Sequence, residues 1–430
     1  MPPEGLEDRL AALERPNLVL FVCDTLRADF TTPYGFEHDT SPELAAWAGR
    51  GVVFERVRAQ SSWTKISMAS LLTSLWPRSH GIREAQDGLS DEAFTLAEVL
   101  QGGGYATYGV QTNGWLHQSF NFQQGFDRYA FPMGGGDRRL GAPSLWAHAD
   151  RVVEEAGRLL DAHDRSRPFF LYLHFMDVHE YAAPPELKRY GEDGRGAYLA
   201  SIRWVDDALR RVREKLAETG DLERTVLVFA ADHGETFGEH GVHGHARNVL
   251  TPVVWVPLVV RWPFAAEPLR VAAQVRNLDI APTLLELAGL AVPERFEGES
   301  VLPLVGAAAA GAPSGDRPSY AALGMPLFPD ASVQAALSDG RWTFARNAPA
   351  DGEGAGYEGR ARAPGAEYLF DRRVDPGENV NLLEIEAGQA ERLRAALEAH
   401  AAGGSRALVE EGVRIDPAIA ERLRAMGYLQ

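Results

Sequence analysis

Residues 17–27 read NLVLFVCDTLR. From Leu18 to Cys23 the run is apolar without interruption, so a strand formed there has no polar face to turn to water. Strands of that kind belong to parallel sheets covered on both sides by helices. The run stops at Asp24, and in open parallel sheets ligands gather just beyond the carboxyl ends of the strands. The same texture returns in YATYGV around Tyr108, PFFLYLHF from Pro168, TVLVFA from Thr225 and PLVV from Pro257. Helical patterns lie between them. SPELAAWAGRG has Ser41 placed to cap, Pro42 at the first position and Gly51 past the end, and longer helices are expected from Ser144 and Tyr198. The alternation predicts an α/β fold with a doubly wound sheet covered by helices.

The texture changes after LDIAPTLLELAGL, a helix expected near Asp279 to Leu290. GAAAAGAPSGD reads as a flexible connection over residues 306–316. It would separate an α/β domain, residues 1–305, from a smaller α+β region, residues 317–430. In the latter, ASVQAALSDGRWTFARN predicts a hairpin around Asp339 and Gly340, and EAGQAERLRAALEAH a helix.

The 430 residues suffice for one large α/β domain with an appendage, and the single Cys23 excludes an intrachain disulfide. A net charge of −17 without a compensating basic patch disfavours a nucleic-acid backbone or an anionic membrane as partner. The longest apolar stretch, VLTPVVWVPLVV over residues 249–260, is too short for a membrane span and carries two prolines. The opening MPPEGLEDRLAALERPN has no apolar block of the secretory kind; it reads as an amphipathic helix through Leu6, Leu10 and Leu13, and the expected location is the cytoplasm. An acidic protein that handles an anion must reverse its field locally.

Three strand ends carry chemistry. NLVLFV is followed by Asp24, Thr25 and Arg27, TVLVFA by Asp232 and His233, and FLYLHF by Asp177 and His179. An aspartate after a strand is commonly a cap or a turn residue. Asp24, Asp232 and His233 converging at one sheet edge would instead suit a divalent cation with an open position. The glycine-rich GEHGVHGH adds His240, His243 and His245, as ligands, substrate contacts or plain loop residues, with His245 the best placed.

The stretches PNLVLFVCDTLRADF, AQSSWTKISMASLLTSLWPRSHGI, PFFLYLHFMDVHEYAAPP, TVLVFAADHGETFGEHG, NLDIAPTLLELAGL and EYLFDRRVDPGENVNLL together resemble the sulfatase family of the alkaline phosphatase superfamily. They follow the family's order and cover nearly the whole chain. The resemblance implies an alkaline-phosphatase-like catalytic sheet domain and a smaller C-terminal domain with a short antiparallel sheet. It implies one divalent metal held by Asp24, Asp232 and His233, with the nucleophile also touching it. In the family the nucleophile lies nine residues before the threonine of the LLT element, which here is Thr73, so the implied nucleophile is Thr64.

Thr64 is not the family's usual residue. The usual Cys-x-Pro-x-Arg pattern, matured to formylglycine, is here Thr64, Lys65, Ile66, Ser67 and Met68, so formylglycine is excluded. The threonine resembles that of lipoteichoic acid synthases and phosphoethanolamine transferases. Thr25 replaces a second aspartate, which leaves an Asp, Asp, His and Thr set and favours manganese or zinc over calcium or magnesium. Asn113 stands where the family has a lysine. The expected contacts to the anion are therefore Lys65, Asn113 and Arg27, with His179 and His245 as contacts or proton donors, and Arg27 equally suits a structural ion pair.

These residues predict metal-assisted attack by Thr64 on a small phosphate or phosphonate ester, as hydrolase or transferase. The alternatives are a sulfuric ester hydrolase without formylglycine and a binding protein on a decayed fold. For Thr64 itself the bland reading is a helix N-cap.

Overall fold

The computed structural model describes residues 5–132, 147–324, 334–347, 365–403, 407–425 and 429. Its centre is a nine-stranded sheet. In chain order the strands are β1 (Asn17–Cys23), β2 (Gly51–Arg58), β3 (Ala106–Val110), β4 (Arg128–Ala130), β5 (Phe169–Phe175), β6 (Thr225–Ala231), β7 (Trp255–Val256), β8 (Leu258–Arg261) and β9 (Leu269–Arg276). Across the sheet the order is β7-β2-β8-β6-β1-β5-β3-β4, with β9 paired to β2. The central strands β1, β5 and β6 are buried at every position, as unbroken apolar runs require.

The sheet is mixed. Strands β6, β1, β5, β3 and β4 run parallel, but β8, the PLVV run, is antiparallel to both β6 and β2. An apolar run shows that a strand is covered and carries no mark of its direction.

Helices pack on the faces: α1 (Leu6–Ala11), α2 (Pro42–Ala48), α3 (Thr64–Thr73), α4 (Leu96–Gly102), α5 (Ala149–Asp161), α6 (Gly194–Glu218) and α7 (Ile280–Leu287). Ser41 takes the N-cap place of α2 without capping it; its hydroxyl accepts from Thr32 N–H at 2.8 Å. The first amides of α2, Glu43 and Leu44, donate instead to Asp206 of α6 at 3.0 and 2.9 Å. The helix ends at Ala48, and Gly51 opens β2, where a Cβ would stand 1.9 Å from Val260 O. Helix α8 (Leu302–Ala309) runs into the stretch read as a connection, since Ala307, Ala308 and Ala309 favour helix.

The C-terminal part forms a four-stranded antiparallel sheet: β10 (Ser319–Ala322), β11 (Gln334–Ser338), β12 (Trp342–Asn347) and β13 (Glu367–Asp371). Helix α9 (Ala387–Ala402) lays Ala390, Leu393 and Leu397 on Leu337, Trp342, Phe344 and Leu369, a helical spacing that puts the three on one face.

Candidate active site

Register decides which residues meet. Cys23 is level with Phe175 of β5 on one side and Ala231 of β6 on the other. The next residues, Asp24 and Asp232, therefore leave the sheet together at its carboxyl edge. Asp24 N–H still donates to Phe175 O at 3.0 Å before the chain turns at Thr25, whose φ of 58° is unusual for a β-branched residue. Tyr198 of α6 holds that turn: its hydroxyl donates to Thr25 O at 2.8 Å and accepts Arg27 N–H at 3.0 Å.

Each member of the cluster has one atom engaged and one aimed inward. Asp232 Oδ1 accepts the amides of Thr25 and His233 at 3.2 and 2.7 Å. Asp232 Oδ2 is buried without a hydrogen-bond partner. His233 Nδ1 lies 3.0 Å from Gly234 O, and because a carbonyl only accepts, the proton sits on Nδ1 and Nε2 is bare. Nε2 is 3.2 Å from Thr64 Oγ1, 3.4 Å from Asp232 Oδ2 and 3.7 Å from Asp24 Oδ1.

Thr64 is the first residue of α3, and the N-cap place belongs to Trp63, which makes no side-chain cap bond. The capping reading of Thr64 is thus corrected: a cap precedes the first helical residue, whereas Thr64 already has helical geometry and turns its hydroxyl to the cluster. Oγ1 lies 3.4 and 3.3 Å from the two oxygens of Asp24. Ser67, one turn on, anchors the helix start by donating to Asp232 O at 2.6 Å. Asn113 follows β3 and donates from Nδ2 to Asp24 Oδ2 at 2.7 Å, with Thr64 Oγ1 3.4 Å away. Its Oδ1 accepts Trp115 N–H at 2.8 Å, which fixes the orientation of the amide.

At the mouth, His245 has its ring 4.8 Å from that of His233 and 4.9 Å from that of His179. His245 Nδ1 is 3.3 Å from Glu235 Oε2, and His179 Nδ1 is 3.1 Å from Glu180 Oε1. Two expected anion contacts are engaged by other groups. Lys65, one residue round the helix from Thr64, is fully buried; Nζ donates to Ala85 O at 2.9 Å and sits 3.6 Å from the Phe120 ring centre, beside Trp115 and Trp63. Burial pushes its pKa well below the ordinary lysine value. Arg27 pairs with Asp29 at 2.7 Å and Glu239 at 2.5 Å. His243 is exposed on a two-residue strand, and His240 lies in the same loop with a φ of 55°.

Sequence reading missed His174. It occupies β5 level with Val22, is fully buried, and has Nε2 3.7 Å from Asp24 Oδ2. The signal was one imidazole inside FFLYLHF.

The donor set fits a divalent cation. Two carboxylates, a bare imidazole nitrogen and a hydroxyl face one another, and the orphaned Asp232 Oδ2 has no other partner to claim. Without a cation, burial pushes Asp232 up to about 7 and His233 down to about 4. A neutral imidazole is the form that ligates a metal.

A family model described as Sulfatase matches residues 16–290. Human arylsulfatase A is 27% identical over 456 residues, which cover 90% of this chain and 87% of the relative. An arylsulfatase of Clostridium perfringens is 24% identical over 386 residues, 68% of this chain and 78% of the relative. The crystal structure of a phosphonate monoester hydrolase of Agrobacterium radiobacter superposes with a TM-score of 0.70 at 19% identity, over 90% of this chain and 96% of that one, a likeness of fold.

Proposed function

The chain belongs to the sulfatase family of ester hydrolases, and from that premise we propose that it is a metal-dependent enzyme that cleaves a phosphate or phosphonate ester through Thr64. The observation that carries the reading is the place of Thr64 Oγ1, 3.2 Å from His233 Nε2 and 3.3 Å from Asp24 Oδ2, inside the donor cluster. A divalent ion held by Asp24, Asp232, His233 and Thr64 would lower the hydroxyl pKa and offset charge on the ester.

Thr64 Oγ1 loses its proton to solvent and attacks phosphorus in line; its O–P bond forms as the ester O–P bond breaks, and the leaving oxygen takes a proton from a protonated His179 or His245. Water, or an acceptor alcohol, then attacks the threonyl ester at phosphorus and gives its proton to the same histidine; the Thr64 O–P bond breaks and the released oxygen regains a proton from solvent. Asn113 holds Asp24 through its 2.7 Å hydrogen bond and faces Thr64 Oγ1, a place from which it steers both. Glu235 orients the His245 ring. The threonine also bears on the choice of ester. Formylglycine sheds sulfate by collapse of a hemiacetal, whereas a threonyl ester must be attacked at its central atom, a route suited to phosphoryl groups.

Charge narrows the class further. Asp24 and Asp232 offset a divalent ion, and Lys65 and Arg27 are held by Ala85 and by Asp29 and Glu239. With Lys65 and Arg27 so engaged, neither is at hand to balance a second negative charge on the ester, and monoanionic esters fit better than dianions. A panel of nitrophenyl esters with defined metals tests this. The phosphate diester or phosphonate monoester should turn over faster than the phosphate monoester. The arylsulfatase relatives favour a second reading, sulfate-ester hydrolysis without formylglycine, which would stand if the sulfate were fastest. No turnover of any ester with any metal would leave a binding protein.

A further inference from the structure

His174 is a costly choice for its position. Its neighbours in β5, Leu173 and Phe175, are apolar and fully buried, and a phenylalanine or leucine would continue the run without loss. The imidazole is equally buried, yet neither ring nitrogen makes a hydrogen bond among the described residues. An unsatisfied polar group in a protein interior destabilises the fold and calls for a reason.

Its surroundings supply one. Register sets His174 beside Val22, two residues before Asp24 on the neighbouring strand, so that the ring points to the same carboxyl edge. Nε2 stands 3.7 Å from Asp24 Oδ2, too long for a hydrogen bond, and that oxygen already accepts Asn113 at 2.7 Å. One donor atom each from Asp24, His174 and Asp232 lie within 4.8 Å of one another. Ligands about 2.0–2.2 Å from a first-row ion stand at most ~4.4 Å apart, and the 3.7 Å spacing is compatible with two donors to one ion.

We propose that His174 is a further donor to the divalent cation, which makes the set two carboxylates, two imidazoles and the Thr64 hydroxyl. The proposal rests on the metal site described above and extends it. A second nitrogen donor shifts preference toward zinc and away from calcium and magnesium, which favour all-oxygen shells.

X-ray absorption on the zinc-loaded full chain tests it, because imidazole rings give multiple-scattering features that can be counted without turnover. The wild type should show two imidazoles and His174→Phe one, with zinc affinity lower by at least about 10-fold in the variant. One imidazole in the wild type, or an unchanged shell and affinity in His174→Phe, overturns the proposal while leaving the metal site intact. A wild type that binds no zinc or manganese removes both. Should His174→Phe fail to fold, the wild-type count alone decides.

Discussion

Replacing Thr64 by alanine separates chemistry from folding. The side chain makes no cap bond, so the usual penalty of about 1 kcal/mol for losing a cap does not apply. The hydroxyl contacts, at 3.2–3.4 Å, are longer than good O–H···O bonds and contribute little to folding. What remains is one buried methyl, ~0.8 kcal/mol. Thr64→Ala should therefore fold with a loss of about 1 kcal/mol, measured by denaturant titration. As the nucleophile, its removal should lower kcat by on the order of 10⁴ to 10⁶. That is about 5–8 kcal/mol of transition-state stabilisation, several times the folding term. Assays belong at saturating metal, because Thr64 is also a proposed ligand. Thr64→Ser, which keeps the hydroxyl and loses the methyl, should keep measurable turnover. If Thr64→Ala turns over within about tenfold of the wild type on the best ester, the reasoning fails.

Other outcomes follow from neighbouring residues. Lys65→Met should change kcat/KM less than about tenfold, because Nζ is engaged by Ala85 O and the Phe120 ring; a loss comparable to that of Thr64→Ala would put the ammonium on the substrate after all. Chelation should abolish turnover, with manganese or zinc restoring it better than calcium; full activity after exhaustive chelation contradicts the donor set. His80 is fully buried, takes the Ile82 amide on Nδ1 at 3.2 Å, and burial pushes its pKa down to about 3. Its unfolded value is higher, so the stability it contributes is present above about pH 6.5 and lost as pH falls toward 3. Between pH 8 and 5.5 the wild type should lose about 1.4 kcal/mol more than His80→Gln in denaturant titrations, and parallel pH profiles would refute the assignment.

Much of this site is legible in residue order because strands deliver it. Asp24 and Asp232 stand one residue past apolar runs, and parallel register brings those ends level. Asn113 and Thr64 arrive from loops and a helix start, where spacing carries no geometry; only the family resemblance singled them out. His174 was hidden because one polar residue in an apolar strand looks the same whether it faces the core or the edge. Lys65 shows the opposite failure, and Arg27 takes the ion-pair alternative that the sequence left open. A positive charge near the site was visible, but the direction of the side chain depends on Phe120 and Ala85, or on Glu239, far away in sequence. The antiparallel course of β8 was equally hidden, since composition does not encode strand direction.

The most direct test of the account is the chemical state of Thr64 during turnover. The wild-type protein, loaded with its preferred metal and mixed with the best ester of the panel, is quenched in acid within a turnover, digested, and the peptide containing Thr64 weighed. The account predicts a phosphoryl or phosphonyl adduct on Thr64, absent in Thr64→Ala and absent without substrate. Full turnover with an unmodified Thr64 peptide at every quench time, or the adduct on another residue, would contradict it.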